Sequence, residues 1–234
     1  MSYLYPRRCA LCGDIVTPKG NQVCSECYEK AKIVEEPRCM KCGKYVGQEE
    51  QEYCYDCSGT DTYFEKGFSL WHYDTVLKHS IAQFKYHNRK EYALFYGTEF
   101  VKEFKEQIEA LEIDAIIPVP IHWTRHVQRG YNQAEEVANI IGRALNIPVV
   151  DDLLIRSRKT VAQKQLDDKQ RQKNLENAFE LSKKWKNISG NLNRVMIIDD
   201  IYTTGCTISA CAKVLKEFGI QQVYFGVLCI GSGY

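Results

Sequence analysis

No apolar run in this 234-residue chain approaches the roughly 20 residues of a membrane span. The amino terminus, MSYLYPRRCA, has no apolar core, so a signal peptide is not expected either. Net charge is nearly absent: 31 basic residues against 30 acidic leave +1, and no global field draws the chain to nucleic acid or an anionic membrane. The familiar phosphate loops are missing too. No GxxxxGK[ST] occurs, which argues against a P-loop NTPase, and no strand-like run leads into GxGxxG. These absences leave a cytoplasmic globular protein without membrane insertion, with 44% hydrophobic and 26% charged residues. Its length suits one large domain, or one plus a small appendage.

Cysteine, by contrast, is abundant. Eight of the 11 form four CxxC pairs: Cys9/Cys12, Cys24/Cys27, Cys39/Cys42 and Cys54/Cys57, with 11 residues between each pair and the next. In a reducing cytosol this spacing reads as two structural Zn²⁺ sites. Four thiolates close a tetrahedron and leave no open position for chemistry. Residues 7–30 and 37–60 repeat one another at an offset of 30, each unit opening on CxxCG and closing on a second CxxC. The repeat favours sequential sites, while the even spacing also permits an interleaved cross-brace. So small a segment buries little core, and metal supplies its folding energy. Eight basic and nine acidic residues over 1–60 give no evident DNA-gripping surface.

The chain therefore divides into a double zinc ribbon (1–60) and a larger domain (61–234) of alternating strands and helices. Strands are expected at 67–73, 114–120, 194–198 and 221–230, and helices at 74–87, 90–109, 130–145 and 207–218. A polar, basic stretch fills 156–177. Alternation of this kind argues for a parallel α/β sheet, which binds ligands beyond the carboxyl ends of its strands.

One such end stands out. In VMIIDDIYTTGCTISAC (195–211), a buried strand runs into Asp199 and Asp200, then into Thr203, Thr204, Gly205, Cys206 and Thr207, before a helical pattern. Small residues and a helix amino terminus make a cradle for phosphate. Adjacent carboxylates accept hydrogen bonds from a diol and can sit near Mg²⁺. Together they imply a ribose 5-phosphate. After DAIIPVP, a loop carries His122, Arg125, His126 and Arg129. Two guanidiniums at a strand's carboxyl end suit a pyrophosphate. Asn132 and Gln133 either cap the next helix or brace this loop. Cys206 reads as a small filler, Cys211 and Cys229 as core, and Trp123 and Tyr202 as packing aromatics rather than base-stacking ones. His72, His79 and His87 show no metal-like grouping.

Four apolar positions, Asp-Asp, then TTGxT resemble the PRPP signature of type I phosphoribosyltransferases. PVPIHWTRHVQRGYNQAEEVA (118–138) resembles the PVP…RGxNQ block of the ComF/GntX family, and RSRKTVAQKQLDDKQRQKNLENAF (156–179) its R…Q..L…R..N…AF block. The double zinc ribbon matches as well, so the resemblance covers essentially the whole chain. It implies a type I phosphoribosyltransferase-like α/β domain that holds PRPP with Mg²⁺. Asp199 and Asp200 would take the ribose, residues 203–207 the 5-phosphate, and Arg125 and Arg129 the pyrophosphate. Gln163, Arg171 and Asn174 would lie on a mobile loop whose segment, 156–173, has seven basic residues against two acidic.

Two functions follow from that resemblance. The first is a competence protein that handles incoming single-stranded DNA during natural transformation, beside the DNA-uptake machinery and a helicase-like translocation partner. The second is an active phosphoribosyltransferase that uses PRPP and Mg²⁺ with an unknown acceptor; no general base for it is visible in the sequence.

Overall fold

The computed structural model describes residues 6–157, 178–185 and 192–231. The positions Gln163, Arg171 and Asn174 lie outside these described residues. Two runs rich in branched apolar residues, AIIP and VMII, are buried on both faces, as a parallel sheet demands. They form strands β2 (Ala115–Pro118) and, in chain order later, β5 (Arg194–Tyr202). With β1 (Lys66–His72) and β6 (Gln222–Ile230) they make an all-parallel sheet in the order β1-β6-β5-β2. A short antiparallel ribbon, β3 (Leu154–Arg156) with β4 (Phe179–Leu181), lies apart from it. The sequence pattern does not show this ribbon.

Helices α2 (Thr75–Tyr86), α3 (Tyr92–Glu109) and α5 (Gln133–Leu145) cover one face of the sheet. Helix α6 (Cys206–Phe218) covers the other. The pleat assigns β5 side chains alternately: Met196 and Ile198 enter the first core, Val195 and Ile197 the second. Among the described residues no helix is long and apolar enough to cross a membrane.

The cysteine ribbon is built into this sheet. It includes one short helix, α1 (Ser25–Lys30). Cys9, Ala10, Leu11, Val16 and Val23 join the first core, whereas Val34 and all four cysteines from Cys39 to Cys57 join the second. Between the two quartets the backbone runs antiparallel to β1: Val34 N–H donates to Leu70 C=O at 2.9 Å, and Ile33 bridges Trp71. This pairing covers the β1 edge, which would otherwise present unpaired backbone groups. Gly67 N–H donates to Lys41 C=O at 2.7 Å, and Ser69 Oγ donates to Cys42 C=O at 2.8 Å. The division at residue 60 is thus one of metal-binding pattern, while the side chains on its two sides share both cores.

Candidate functional site

Helix α5 follows β2 on one face and α6 follows β5 on the other, so the two neighbouring strands send their chains apart. A crevice opens at such a switch point, beyond the carboxyl ends. Its floor is set by unequal strand lengths. Pro118, the last residue of β2, pairs with Ile198, whereas β5 continues along β6 to the Tyr202–Ile230 pair. Asp199 and Asp200 therefore lie inside the ladder, not just past a strand ending at 198 as the apolar run indicates. What stops at Ile198 is only the pairing with β2.

Being adjacent in a strand, the two aspartates face opposite sides. Asp200 turns to α2, where Lys85 Nζ stands 2.9 Å from Oδ1 and 2.8 Å from Oδ2. This ion pair is largely sequestered, at 19% exposure for the lysine side chain and 13% for the aspartate. Burial works against the ammonium, but Asp200 and then Asp199 outweigh it and raise the Lys85 pKa. Asp199 lies on the α6 side, within the fields of Arg156 and Cys211, and its Oδ1 accepts the Asp200 N–H at 2.8 Å. Burial, and next the Asp200 charge, push its carboxyl up to about 7. No sequence signal marks Lys85, because its partner lies 115 residues away.

The turn after β5 has the form of an anion cradle. Gly205 sits at φ +75°, and α6 begins there without a side-chain cap. The amino end of a helix carries the positive end of its dipole. Thr204 Oγ1 donates to Cys206 Sγ at 3.1 Å, which makes Cys206 a local brace. Beneath the turn Tyr202 stacks on Phe225 (5.1 Å between centroids, 5° between planes), so this aromatic packs as expected. A Cβ at Gly205 would lie 2.3 Å from Tyr202 Oη. Gly205→Ala therefore combines left-handed strain with a clash, together worth roughly 2–4 kcal/mol. We expect its melting temperature to fall by roughly 4–16 °C, with loss of any thermal response to PRPP. A variant that melts and responds like wild type would show that the turn needs no glycine.

The arginine segment is a helix rather than the expected loop. α4 (Trp123–Arg129) is capped at its start by His122, whose Nδ1 accepts the Thr124 N–H at 3.3 Å, and closed by Gly130 at φ 80°. Arg125 and Arg129, four residues apart, share one side of it. Arg129 is held by neutral groups: Nη1 donates to Gln133 Oε1 at 2.9 Å, and its guanidinium lies 4.9 Å from the Tyr86 ring centroid. Asn132 both caps and braces. Its Oδ1 accepts the Ala134 N–H at 3.2 Å, and its Nδ2 donates to Val119 C=O at 3.0 Å. Trp123 departs from the packing reading, since it is 68% exposed.

Arg156, on β3, completes the cluster. Its guanidinium pKa is lowered, by burial first and next by Arg125, while Asp199 opposes the shift and Arg129 adds to it. Lys85 feels Arg129 as well. Lys85 and Arg156 thus act directly on the two carboxylates, with Arg129 and Arg125 behind them, and one carboxylate titrates near neutrality. The positive charges here outnumber the carboxylates, beside the amino end of α6.

The cysteines group sequentially, which removes the interleaved option. Cys9, Cys12, Cys24 and Cys27 form one quartet and Cys39, Cys42, Cys54 and Cys57 the other, with all ligand atoms in each within 4.8 Å of one another. The thiol chemistry fits Zn²⁺. Leu11, Cys12 and Cys24 N–H groups all point at Cys9 Sγ, at 3.4, 3.5 and 3.4 Å. Burial opposes ionisation of Cys9, but these donors outweigh it and lower the thiol pKa. The first quartet is partly exposed and the second fully buried.

The chain is similar to several known proteins. The double zinc ribbon domain family matches residues 1–58. Competence protein F of Haemophilus influenzae is 31% identical over 224 residues, covering 92% of this chain and 93% of that protein. DNA utilization protein YhgH of Escherichia coli O157:H7 is 27% identical over 227 residues, covering 96% and 97%. Among solved structures, a crystal structure of adenine phosphoribosyltransferase aligns with a TM-score of 0.38 and 14% identity over 64% of this chain and 75% of that one.

Proposed function

From the premise that this chain belongs to the ComF/GntX family of competence proteins, we propose that it handles single-stranded DNA during DNA uptake. We further propose that the crevice between β2 and β5 reads a ribose 5-phosphate, in the form of PRPP with Mg²⁺. One observation carries the second part. A half-buried aspartate pair, the amino end of α6 and the arginines of α4 converge where two parallel strands send their chains to opposite faces.

In this reading Asp199 and Asp200 accept the ribose hydroxyls and residues 203–207 take the 5-phosphate. Arg125 and Arg129 take the pyrophosphate, which in PRPP would bring Mg²⁺ with it. Catalytic transfer to an acceptor is the second reading. The neutral anchoring of Arg129 favours it, because its charge is left to stabilise departing pyrophosphate.

DNA should not compete for the aspartates. An internal nucleotide of a DNA strand has no free ribose hydroxyl, and its phosphodiester is repelled by carboxylate. The strand is expected elsewhere, with the basic residues of 158–173 as the leading candidates. PRPP–Mg²⁺ and a short single-stranded oligonucleotide titrated separately and together test both parts. We expect each to bind and neither to displace the other. Neutralising Lys159, Lys164 and Arg171 should flatten the slope of log affinity against log salt by about 2, at roughly 0.7 per cation. An unchanged slope moves the DNA surface to another part of the chain. Absence of PRPP binding removes the phosphoribosyl reading and leaves the DNA reading in place.

A further inference from the structure

Lys85 has so far been counted only as one positive charge of the cluster, yet it is in direct contact with Asp200. Its ammonium lies against both oxygens of Asp200, at 2.9 and 2.8 Å. It is fixed there by its helix. Leu77, Ile81 and Phe84 bury α2 in the first core, and Ser80 Oγ donates to Ala10 C=O in the first cysteine repeat. The same carboxylate is where a divalent ion attracted by two adjacent acids would bind.

We propose that Lys85 is a positioning residue that makes the Asp199–Asp200 pair a receptor for a sugar diol and bars it from holding a divalent cation by itself. This rests on the phosphoribosyl reading for the diol, but not for the exclusion of the cation. A carboxylate offers about four lone-pair directions. Lys85 uses some of those on Asp200, and the Asp200 N–H uses one on Asp199, so both carboxylates keep room for hydroxyl donors. Mg²⁺ is different. It needs anionic oxygens at about 2.0–2.1 Å in octahedral order, and it would meet the ammonium at contact distance in a site with little water to screen them. Arg129 and Arg156 add to that repulsion. Mg²⁺ therefore reaches the crevice only on a polyphosphate, whose charge offsets the cluster.

The test uses zinc-loaded protein and two probes: Mn²⁺ alone, followed by water-proton relaxation, and metal-free ribose 5-phosphate, followed by calorimetry. Wild type should bind ribose 5-phosphate and take up no Mn²⁺ at the crevice. Lys85→Met should gain a Mn²⁺ site at least about tenfold tighter than any wild type shows. That site should vanish in Lys85→Met/Asp200→Asn, and ribose 5-phosphate affinity should fall. Lys85→Gln keeps a donor without the charge and serves if the methionine variant does not fold; it too should gain the Mn²⁺ site. The proposal is overturned by wild-type Mn²⁺ binding that Asp200→Asn abolishes, or by a folded Lys85 variant that gains no Mn²⁺ site. If wild type ignores ribose 5-phosphate while the Lys85 variants gain Mn²⁺, the phosphoribosyl reading falls and the role of Lys85 in excluding cations stands.

Discussion

Chelation should remove two Zn²⁺ per chain in two steps, with the fold lost in the second. Cys12, Cys24 and Cys27 are partly exposed, so a chelator reaches the first quartet directly. All four thiols of the second are buried in the core that includes Val195, Ile197 and Phe225, the middle of the sheet. Apparent binding energies of structural Zn²⁺ are about 10–16 kcal/mol, as large as the 5–15 kcal/mol that keeps a typical domain folded. Losing the buried ion should therefore unfold β5 and β6 with it. Zinc release read by a colorimetric chelator, alongside far-UV circular dichroism, checks this. We expect one fast equivalent with a modest spectral change, then one slow equivalent that leaves together with the ellipticity. Cys42→Ser should yield no folded protein, whereas Cys24→Ser should keep the sheet. If both equivalents leave at one rate with the spectrum intact, the second ribbon is an appendage and the shared core is not stabilising.

Much of the sheet was legible because parallel strands buried on both faces read as unbroken apolar runs, as in AIIP and VMII. The true end of β5 was not. Two aspartates look like a terminus, but backbone pairing with β6 ignores side-chain charge and continues to Tyr202. α4 was hidden by its length of seven residues and by histidine as its cap, an uncommon choice. The β3–β4 ribbon was masked by the polar stretch around it. The zinc ligands were all readable, and the internal repeat favoured the sequential pairing that the folded chain shows; equal spacing alone could not separate it from an interleaved one. Lys85 shows the general limit. A helix pattern places it on α2, and nothing local says that α2 ends against β5.

The two aspartates, alike in sequence, should answer to mutation in opposite ways. Asp200 is the partner of Lys85, so Asp200→Asn leaves a largely buried ammonium without its carboxylate. Breaking such a pair costs about 3–5 kcal/mol. Asp199 can ionise and offset part of this, leaving a loss of roughly 2–3 kcal/mol, or about 4–12 °C in melting temperature. Asp199 is the surplus acid. Asp199→Asn keeps the acceptor for the Asp200 N–H and removes a charge that burial and Asp200 both disfavour, so this variant should melt level with wild type or above it. The pH dependence has a definite sign. With its carboxyl raised to about 7 from an ordinary value of 3.8, Asp199 holds its proton in the folded state after the unfolded chain has released it. Its contribution is fully present below about pH 4 and disappears as pH rises through 7, by on the order of 2 kcal/mol after allowance for its partial exposure. Wild type should lose that increment between about pH 4 and 7, and Asp199→Asn should not. Ligand binding should move the other way, because the ionised carboxylate is the better acceptor: PRPP affinity should rise over the same range. Each substitution should weaken it by roughly 10- to 100-fold, the value of a hydrogen bond to a charged group. Thermal unfolding of the three proteins at several pH values, with and without PRPP–Mg²⁺, separates these effects. Equal melting of both variants would remove the Lys85–Asp200 pair from the account of stability. Full thermal gain on PRPP in both variants would make the aspartates structural, and the phosphoribosyl reading of the crevice would fail.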